Sequence, residues 1–304
     1  MRKNLLAYIA LAAICIIWGT TYLALRVAVM HLPPFLFVGI RQIIAGSILI
    51  TILLLTKKVK VPRIKYLYHQ AIAGFFLITF GNGLVAWAEI HIPSGIAAVI
   101  CSMVPVIVIL INLMGNKEER PNVPIIVGTA LGFLGIAMIF GEDLGELSKP
   151  GYLLGVLLIF IAVVSWAAGS VWIKKRNQET NLFLNAGLQM FFGGLWSFVI
   201  SFSIEDLSNV HWSAEGIYSL IYLTLIGSLV AYSCYSYALR KLPMTIVSLY
   251  AYINPIVAVI LGWVILNEKL NPTMGIAILM TVAGIYIVNR GYQLRDVWKA
   301  QFTR

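Results

Sequence analysis

The sequence predicts an all-α integral membrane protein with ten transmembrane helices in two inverted five-helix repeats. The chain of 304 residues is 60% hydrophobic and only 11% charged, whereas soluble domains carry about 25% charged residues. Its apolar residues form blocks of about 20, the helix length that crosses a hydrocarbon core roughly 30 Å thick. Basic and non-basic connections alternate between the blocks, as they do in chains that cross a membrane repeatedly.

Ten apolar blocks follow one another along the chain. Backbone groups at lipid depth must form their hydrogen bonds within the segment, so each block is predicted to be a helix. The first block is too long for the apolar region of a cleaved signal peptide, and it is interpreted as an uncleaved first span. The predicted spans cover residues 5–29, 34–56, 67–89, 93–114, 123–141, 151–173, 181–203, 213–239, 243–266 and 272–290.

The distribution of Lys and Arg predicts the orientation of the chain. Of the 22 basic residues, 18 lie in the two terminal segments and the even-numbered connections, whereas only Lys149 and Lys269 lie in the odd-numbered connections. Because short cytoplasmic connections carry the excess of Lys and Arg, both termini are predicted to be cytoplasmic. The predicted location is the cytoplasmic membrane of a prokaryote, with the lipid bilayer as a partner of this multi-pass protein.

The two halves of the chain resemble each other weakly, which predicts an internal repeat. The predicted domains are residues 1–145, residues 146–292 and a basic cytoplasmic tail, residues 293–304. Each half holds five spans, and an odd-numbered unit in tandem enters the membrane the second time in the opposite sense. The residues that match at offsets of 150 or 148 are Pro93 and Pro243, Pro105 and Pro255, Glu118 and Glu268, Trp18 and Trp166, and Arg26 and Lys174.

Composition and motifs exclude several function classes. The net charge of +10 arises from short basic clusters between apolar blocks, so nucleic acid is not an expected partner. The four histidines lie at span ends without metal-ligand spacing, and the sequence has no phosphate-binding loop. We therefore expect no metal, no cofactor and no enzyme activity. A secondary transporter of small polar or amphipathic metabolites is favoured, with protons as the candidate coupling ion. A downhill uniporter is the main alternative, a non-transporting receptor or scaffold is disfavoured, and the oligomeric state is not indicated.

Short motifs in both halves resemble those of EamA-type permeases in the drug/metabolite transporter superfamily. The motifs are Trp18-Gly19-Thr20, residues 86–98, Pro105, Glu118-Glu119-Arg120, Leu242-Pro243, Asn254-Pro255 and Asn267-Glu268-Lys269. The resemblance covers essentially the whole chain. It implies ten helices in two inverted halves, a central cavity lined mainly by the first four helices of each half, and export of amino acids, other metabolites or drugs. The sixth span departs from the pattern with Trp166-Ala167-Ala168, and Glu119 is an additional acid. Neither departure identifies a substrate.

Ionisable residues at membrane depth are candidates for function, because a charge there is costly unless it is paired or hydrated. Arg41 lies about seven residues past Pro34, hence roughly 10 Å below the outer surface at 1.5 Å per residue, and it is a candidate substrate-binding residue. Glu89 and Arg26 lie near outer helix ends and are candidate gate or coupling residues. We hypothesise that Glu89 pairs with Arg41 or Arg26 at an outer gate. A static ion pair, or snorkelling to the interface, is the alternative.

Uncharged polar and aromatic residues complete the candidate substrate site. Amide side chains near mid-span can bind a substrate or another helix, and deep aromatic rings suit apolar or amphipathic ligands. For each ring, ordinary helix packing is the alternative. The candidates are Asn82, Gln189, Trp18, Trp166, Tyr232, Tyr235 and Tyr252.

Two prolines occupy matching mid-span positions and are candidate hinges. Pro105 and Pro255 each remove a backbone donor and clash with the preceding turn, which kinks a helix. Matched kinks can act as pivots for alternating access. Static bends that shape a cavity are the alternative.

Overall fold

The apolar blocks form helices throughout the described part of the chain. The computed structural model describes residues 4–59, 62–92, 94–115, 121–139, 151–176, 181–208, 210–266 and 272–302. The α-helices are α1 (Leu5–Val29), α2 (Pro34–Leu55), α3 (Ile64–Gly74), α4 (Leu84–Ala88), α5 (Ser94–Cys101), α6 (Val104–Gly115), α7 (Val123–Ile139), α8 (Tyr152–Arg176), α9 (Leu182–Ile204), α10 (Ala214–Tyr222), α11 (Ala231–Lys241), α12 (Met244–Ser248), α13 (Tyr250–Leu266) and α14 (Pro272–Phe302). No residue in the described ranges forms a strand, and the all-helical prediction is confirmed for this part of the chain.

Most of these helices have the length and composition of membrane spans. Among the described residues, eight helices are long and apolar enough to cross a membrane, and Val123–Met138 and Met244–Val257 are shorter apolar helices. The two shorter helices lie within the fifth and ninth predicted spans, so the count of ten remains a prediction. Apolar side chains cover the outer surface; on α1, Leu6, Ile16 and Leu23 are each at least 60% exposed. An apolar surface of this extent fits contact with lipid.

Parts of the predicted repeat lie outside the described residues. These parts are Pro93, Glu118, Glu268 and the domain boundary at residues 145 and 146. α14 continues without interruption to Phe302, so the described part of the predicted tail, residues 293–302, is helical. Its assignment as a cytoplasmic tail remains a prediction.

Two of the long helices contain wide turns. α3 continues into α4 through a first π-helical stretch, Phe75–Gly83, and α10 continues into α11 through a second, Leu223–Val230. Hydrogen bonds in such stretches run from residue i to i+5, and they often mark functional sites. The two stretches begin 148 residues apart, the same offset that separates Trp18 from Trp166.

A helix is interrupted near each of the two predicted hinge prolines, but the position of the break relative to the proline differs between the halves. α5 ends at Cys101 and α6 begins at Val104, so Pro105 lies in the first turn of α6 and not in the middle of a continuous helix. The proline ring clashes with the carbonyl four residues earlier, which is that of Cys101, and this explains the break. Pro255 lies inside α13, while the second interruption falls at Leu249. The hinge role of both prolines remains a prediction.

The two halves are joined by close contacts between their helices. α2 lies along α9, and an added Cβ on Gly46 would be 2.6 Å from the Gly187 carbonyl oxygen. α7 lies along α14, where an added Cβ on Gly128 would be 2.7 Å from the Gly284 carbonyl oxygen. Small residues permit this backbone approach between membrane helices. α1 packs against α11 and α13, whereas α8 packs against α4 and the first π-helical stretch.

Candidate functional site

A first cavity lies between helices of both halves, α1, α2, α8, α13 and the first π-helical stretch among them. It contains about 690 Å³ of space not filled by protein atoms, part of which is open to solvent. Four predicted substrate-binding residues line it, namely Trp18, Arg41, Asn82 and Trp166. None of the described lining residues is acidic, and Arg41 is the cationic residue among them.

Arg41 is held so that part of its guanidinium group borders the first cavity. The side chain is only 5% exposed, and its Nε donates a 2.7 Å hydrogen bond to the Ser228 hydroxyl in the second π-helical stretch. Among the described residues, the two terminal nitrogens have no acceptor, and they are not among the fully buried polar atoms that lack a partner. These terminal N–H groups are available to an anionic ligand.

Five aromatic rings form a cluster at one end of the first cavity. The Trp18 ring centroid lies 5.5 Å from that of Trp166, 5.3 Å from that of Tyr235 and 4.8 Å from that of Tyr250. Tyr232 completes the cluster, 6.2 Å from Trp166 and 5.9 Å from Tyr235. These separations are typical of edge-to-face and tilted aromatic pairs. The aromatic cluster therefore offers a rigid, mostly apolar wall with several hydroxyl and indole groups.

The first helix of each half donates a hydrogen bond to a π-helical stretch of the other half. On α1, the Trp18 indole N–H donates to the Gly227 carbonyl oxygen at 3.0 Å. On α8, the Ser165 hydroxyl donates to the Phe76 carbonyl oxygen at 2.8 Å. Side-chain donors can satisfy backbone carbonyls that irregular helix turns leave open. Both cross-half bonds lie next to the aromatic cluster.

A second cavity is lined by residues that follow those of the first cavity along α8 and by residues of α9 and α11. It contains about 430 Å³ and is lined by Lys174, Gln189, Ser236 and Arg240, among others. The Tyr232 hydroxyl donates to the Gln189 Oε1 at 2.7 Å, and the Gln189 Nε2 donates to the Gln70 Oε1 at 2.8 Å. Gln189 thus borders the second cavity and not the first. Its hydrogen bond from Tyr232 connects the lining of the second cavity to the aromatic cluster.

Glu89 forms no hydrogen bond with either candidate arginine, although Arg26 lies within electrostatic reach of its carboxyl group. Glu89 is fully buried, and neither carboxylate oxygen has a hydrogen-bond partner among the described residues. Arg41 is directed to Ser228, and the Arg26 Nη1 donates to the Ile92 carbonyl oxygen at 3.3 Å. Carbonyls that lose their helical partners at a helix C-terminus attract basic side chains. The Ile92 carbonyl oxygen therefore accepts a hydrogen bond from Arg26, one of the two arginines predicted to pair with Glu89.

The other half has the same kind of contact at its corresponding helix end. Lys174 Nζ donates to the Leu239 carbonyl oxygen at 3.2 Å and also to the Leu242 carbonyl oxygen. Lys174 and Leu242 are the sequence counterparts of Arg26 and Ile92, at offsets of 148 and 150. In the first half, Arg26 on α1 therefore caps the end of the helix that contains the first π-helical stretch. In the second half, Lys174 on α8 does the same for the helix that contains the second π-helical stretch.

Three predicted substrate-binding residues line neither cavity: Tyr232 and Tyr235 belong to the aromatic cluster, and Tyr252 packs against α7. The Tyr252 hydroxyl donates to the Thr129 carbonyl oxygen on α7 at 2.7 Å, and its ring packs over Gly132. Tyr250 lines the first cavity instead, because residues two apart on a helix point about 200° apart. Tyr22 and Asn254 also line this cavity. Their polarity within apolar blocks was the only signal in the sequence that could have identified them.

The described residues offer no metal centre, because no three His, Cys, Asp or Glu side chains among them lie close enough to share an ion. The functional features are instead the two cavities, the cross-half contacts and the buried Arg41. Apolar helices around enclosed, partly polar spaces define a multi-pass membrane protein with an internal binding space.

Comparison with known proteins identifies the family of this chain. The model of the EamA-like transporter family matches residues 5–141 and, a second time, residues 153–290. The chain therefore belongs to the EamA-like transporter family, and it is a multi-pass membrane transporter.

Several curated proteins are similar over nearly the whole chain. "Uncharacterized inner membrane transporter YedA" of Escherichia coli (strain K12) is 34% identical, over 96% of this chain and 94% of YedA. "Protein PecM" of Dickeya dadantii is 28% identical, over 90% of this chain and 88% of PecM. "Uncharacterized transporter YoaV" of Bacillus subtilis is 22% identical, over 95% and 98% of the two chains. A solved crystal structure shares the fold with a TM-score of 0.77 at 17% identity, covering 95% of this chain and 98% of that chain.

Proposed function

We propose that the protein is a secondary transporter that exports small metabolites, such as amino acids or amphipathic compounds. Transport would proceed by alternating access between two inverted five-helix halves, with ten spans and both termini in the cytoplasm. One observation carries the proposal: a cavity lined by helices of both halves contains the buried Arg41, and its aromatic wall is connected through Tyr232 and Gln189 to a second cavity in the second half. This arrangement fits a carrier that exposes a central site to one side of the membrane at a time.

Few contacts connect the linings of the two cavities. Tyr232 and Tyr235 are 2% and 1% exposed, so no open path runs between their rings. Tyr232 contacts Trp166, which lines the first cavity, and Gln189, which lines the second. With the orientation predicted from the basic connections, the second cavity, which contains Arg240, faces the cytoplasm. Separation of these side chains would connect the first cavity to the cytoplasmic side.

The hydrogen bonds between the halves support their inverted arrangement, because the first helix of each half donates one to the other half. The hydrogen bonds Trp18 to Gly227 and Ser165 to Phe76 have the same pattern with the two halves interchanged. Two units related in this way can rock against each other about a central site. The interrupted helices before Pro105 and around Leu249 are the proposed flexible points, and Glu89 is the proposed coupling residue if protons drive the cycle.

The test is transport by the purified protein in liposomes. We expect saturable counterflow of labelled amino acids or other small metabolites that exceeds the flux of protein-free liposomes. Tyr232→Phe removes the hydroxyl that binds Gln189 and should alter the transport rate. The matched control, Tyr286→Phe, makes the same change on the exposed face of α14 and should not. If no compound in a broad metabolite panel moves, the transport proposal is wrong. If flux is indifferent to an imposed pH gradient, the downhill uniporter is favoured.

A further inference from the structure

We propose that the first cavity binds a small organic anion with one carboxylate and an aromatic or apolar body. The carboxylate would be held by the two terminal NH₂ groups of Arg41. The inference deepens the proposed transport function by naming a substrate class, but binding itself can be measured without transport.

The charge of the cavity points to an anion. Arg41 is buried, and no carboxylate among the described residues pairs with it or lines the cavity. A buried cation without a counter-ion is costly, and a bound carboxylate supplies the missing charge. A single cation balances a single negative charge, so a monocarboxylate fits better than a phosphate dianion.

The geometry of Arg41 points to a carboxylate. Its Nε is already bound to Ser228 at 2.7 Å, which fixes the plane of the guanidinium group. The terminal nitrogens remain, and their parallel N–H groups match the two oxygens of a carboxylate. Because the anchoring hydroxyl belongs to the second π-helical stretch, Arg41 of one half is oriented by the other half.

The remaining lining defines the body of the ligand. Trp18, Trp166 and Tyr250 supply ring faces and edges, and Val85 and Val104 are apolar. An aromatic or branched apolar group fits such a wall. An ammonium group would find no acid among the described lining residues; the Asn82 Nδ2 is directed at the Leu77 carbonyl at 3.4 Å, so its Oδ1 is the available acceptor. Cationic amines should therefore bind poorly.

Three probes of nearly equal shape test the inference on the wild-type protein. Isothermal titration calorimetry would compare 3-phenylpropionate, 3-phenylpropanamide and 3-phenylpropylamine with the purified, detergent-solubilised protein. We expect the acid to bind at least about tenfold more tightly than the amide, as for one charge-assisted hydrogen-bonded pair, and the amine to bind most weakly. Equal binding of acid and amide overturns the inference, as does tighter binding of the amine or failure of the acid to bind at millimolar concentration.

Variants of Arg41 identify the responsible group. Arg41→Gln should reduce the affinity for the acid at least about tenfold and leave the affinity for the amide nearly unchanged. Arg41→Lys keeps the positive charge but lacks the paired N–H groups of the guanidinium, so it should retain intermediate affinity. Binding by this variant would show that weak binding by the glutamine variant does not come from a folding defect. Arg290→Gln, on the exposed face of α14, is the matched control. Full affinity for the acid in Arg41→Gln overturns the inference.

Flux of the same probes in liposomes separates the two proposals. Arg41-dependent binding of the acid without flux of any compound supports the binding site and contradicts the transport function. Flux of the amide or amine, with no binding of the acid, contradicts the binding site and leaves the transport function intact.

Discussion

Replacement of Gly46 by alanine tests the close contact between α2 and α9. An alanine Cβ at this position would lie 2.6 Å from both the Gly187 carbonyl oxygen and the Phe191 amide nitrogen. Ordinary contact begins at 3.4 Å, so the two helices must separate by about 0.8 Å. Both opposing atoms are backbone atoms, and no change of rotamer relieves the clash. We expect a loss of about 1–3 kcal/mol in the free energy of unfolding, the usual cost of overpacking.

The same substitution should also weaken the site. Arg41 precedes Gly46 by five residues on α2, and its partner Ser228 lies on the second π-helical stretch. If α2 also moves by about 0.8 Å relative to that stretch, the 2.7 Å bond lengthens to the limit of a hydrogen bond. The affinity for 3-phenylpropionate should therefore fall together with stability.

Unfolding by sodium dodecyl sulfate and by heat, in one detergent, provides the assay. The matched control is Gly275→Ala, because an added Cβ there meets no atom within 4 Å. Alanine is the better helix former by about 1 kcal/mol, so this control should be as stable as the wild type or more stable. If Gly46→Ala is no less stable than Gly275→Ala, the contact between α2 and α9 is not as close as described.

Three further predictions concern coupling, access and the cross-half hydrogen bonds. Glu89→Gln should flatten the dependence of flux on an imposed pH gradient while downhill flux persists; an unaltered dependence would exclude Glu89 as the coupling residue. In a protein whose other two cysteines are replaced by alanine, a thiol reagent should modify Cys101, which lines the first cavity, and bound 3-phenylpropionate should slow the reaction severalfold. A reaction rate unaffected by the probe would mean that ligand does not occupy this cavity. Trp18→Phe keeps a ring but removes the donor to Gly227, so chemical denaturation should show a loss of about 0.6–1 kcal/mol. Trp196→Phe, at a 42% exposed position, serves as the control, and an equal loss in both variants would discount the hydrogen bond.

Much of the fold and part of the site could be predicted from residue chemistry. Blocks of about 20 apolar residues leave the backbone no alternative to a helix in lipid, and α1, α2 and α8 follow the predicted spans within a few residues. Arg41, Asn82, Trp18 and Trp166 could be selected because polar or large aromatic groups deep in an apolar block need a reason to be there. All four line the first cavity.

The remaining details depend on helix phase and on backbone groups, which residue types do not specify. The π-helical stretch Phe75–Gly83 changes the hydrogen-bond register without a distinctive sequence. The break at Leu249 sets which of Tyr250 and Tyr252 faces the first cavity, and Tyr250 lines it whereas the predicted Tyr252 does not. The partner of Arg26 is the carbonyl of Ile92. A main-chain acceptor of this kind cannot be identified from residue types, whereas the carboxylate of Glu89 could be proposed as a partner for Arg41 or Arg26.

The interchanged hydrogen bonds also have a consequence for biosynthesis. Trp18 and its acceptor Gly227 are 209 residues apart, and Ser165 and Phe76 are 89 apart. The ribosome therefore synthesises Trp18, the donor, long before Gly227, which carries the acceptor. A nascent N-terminal half holds unsatisfied polar groups in lipid until later helices insert, and polar groups in that environment are costly. A chain truncated at its midpoint should thus be a target for membrane proteases, whereas the two fragments made together in one cell should protect each other.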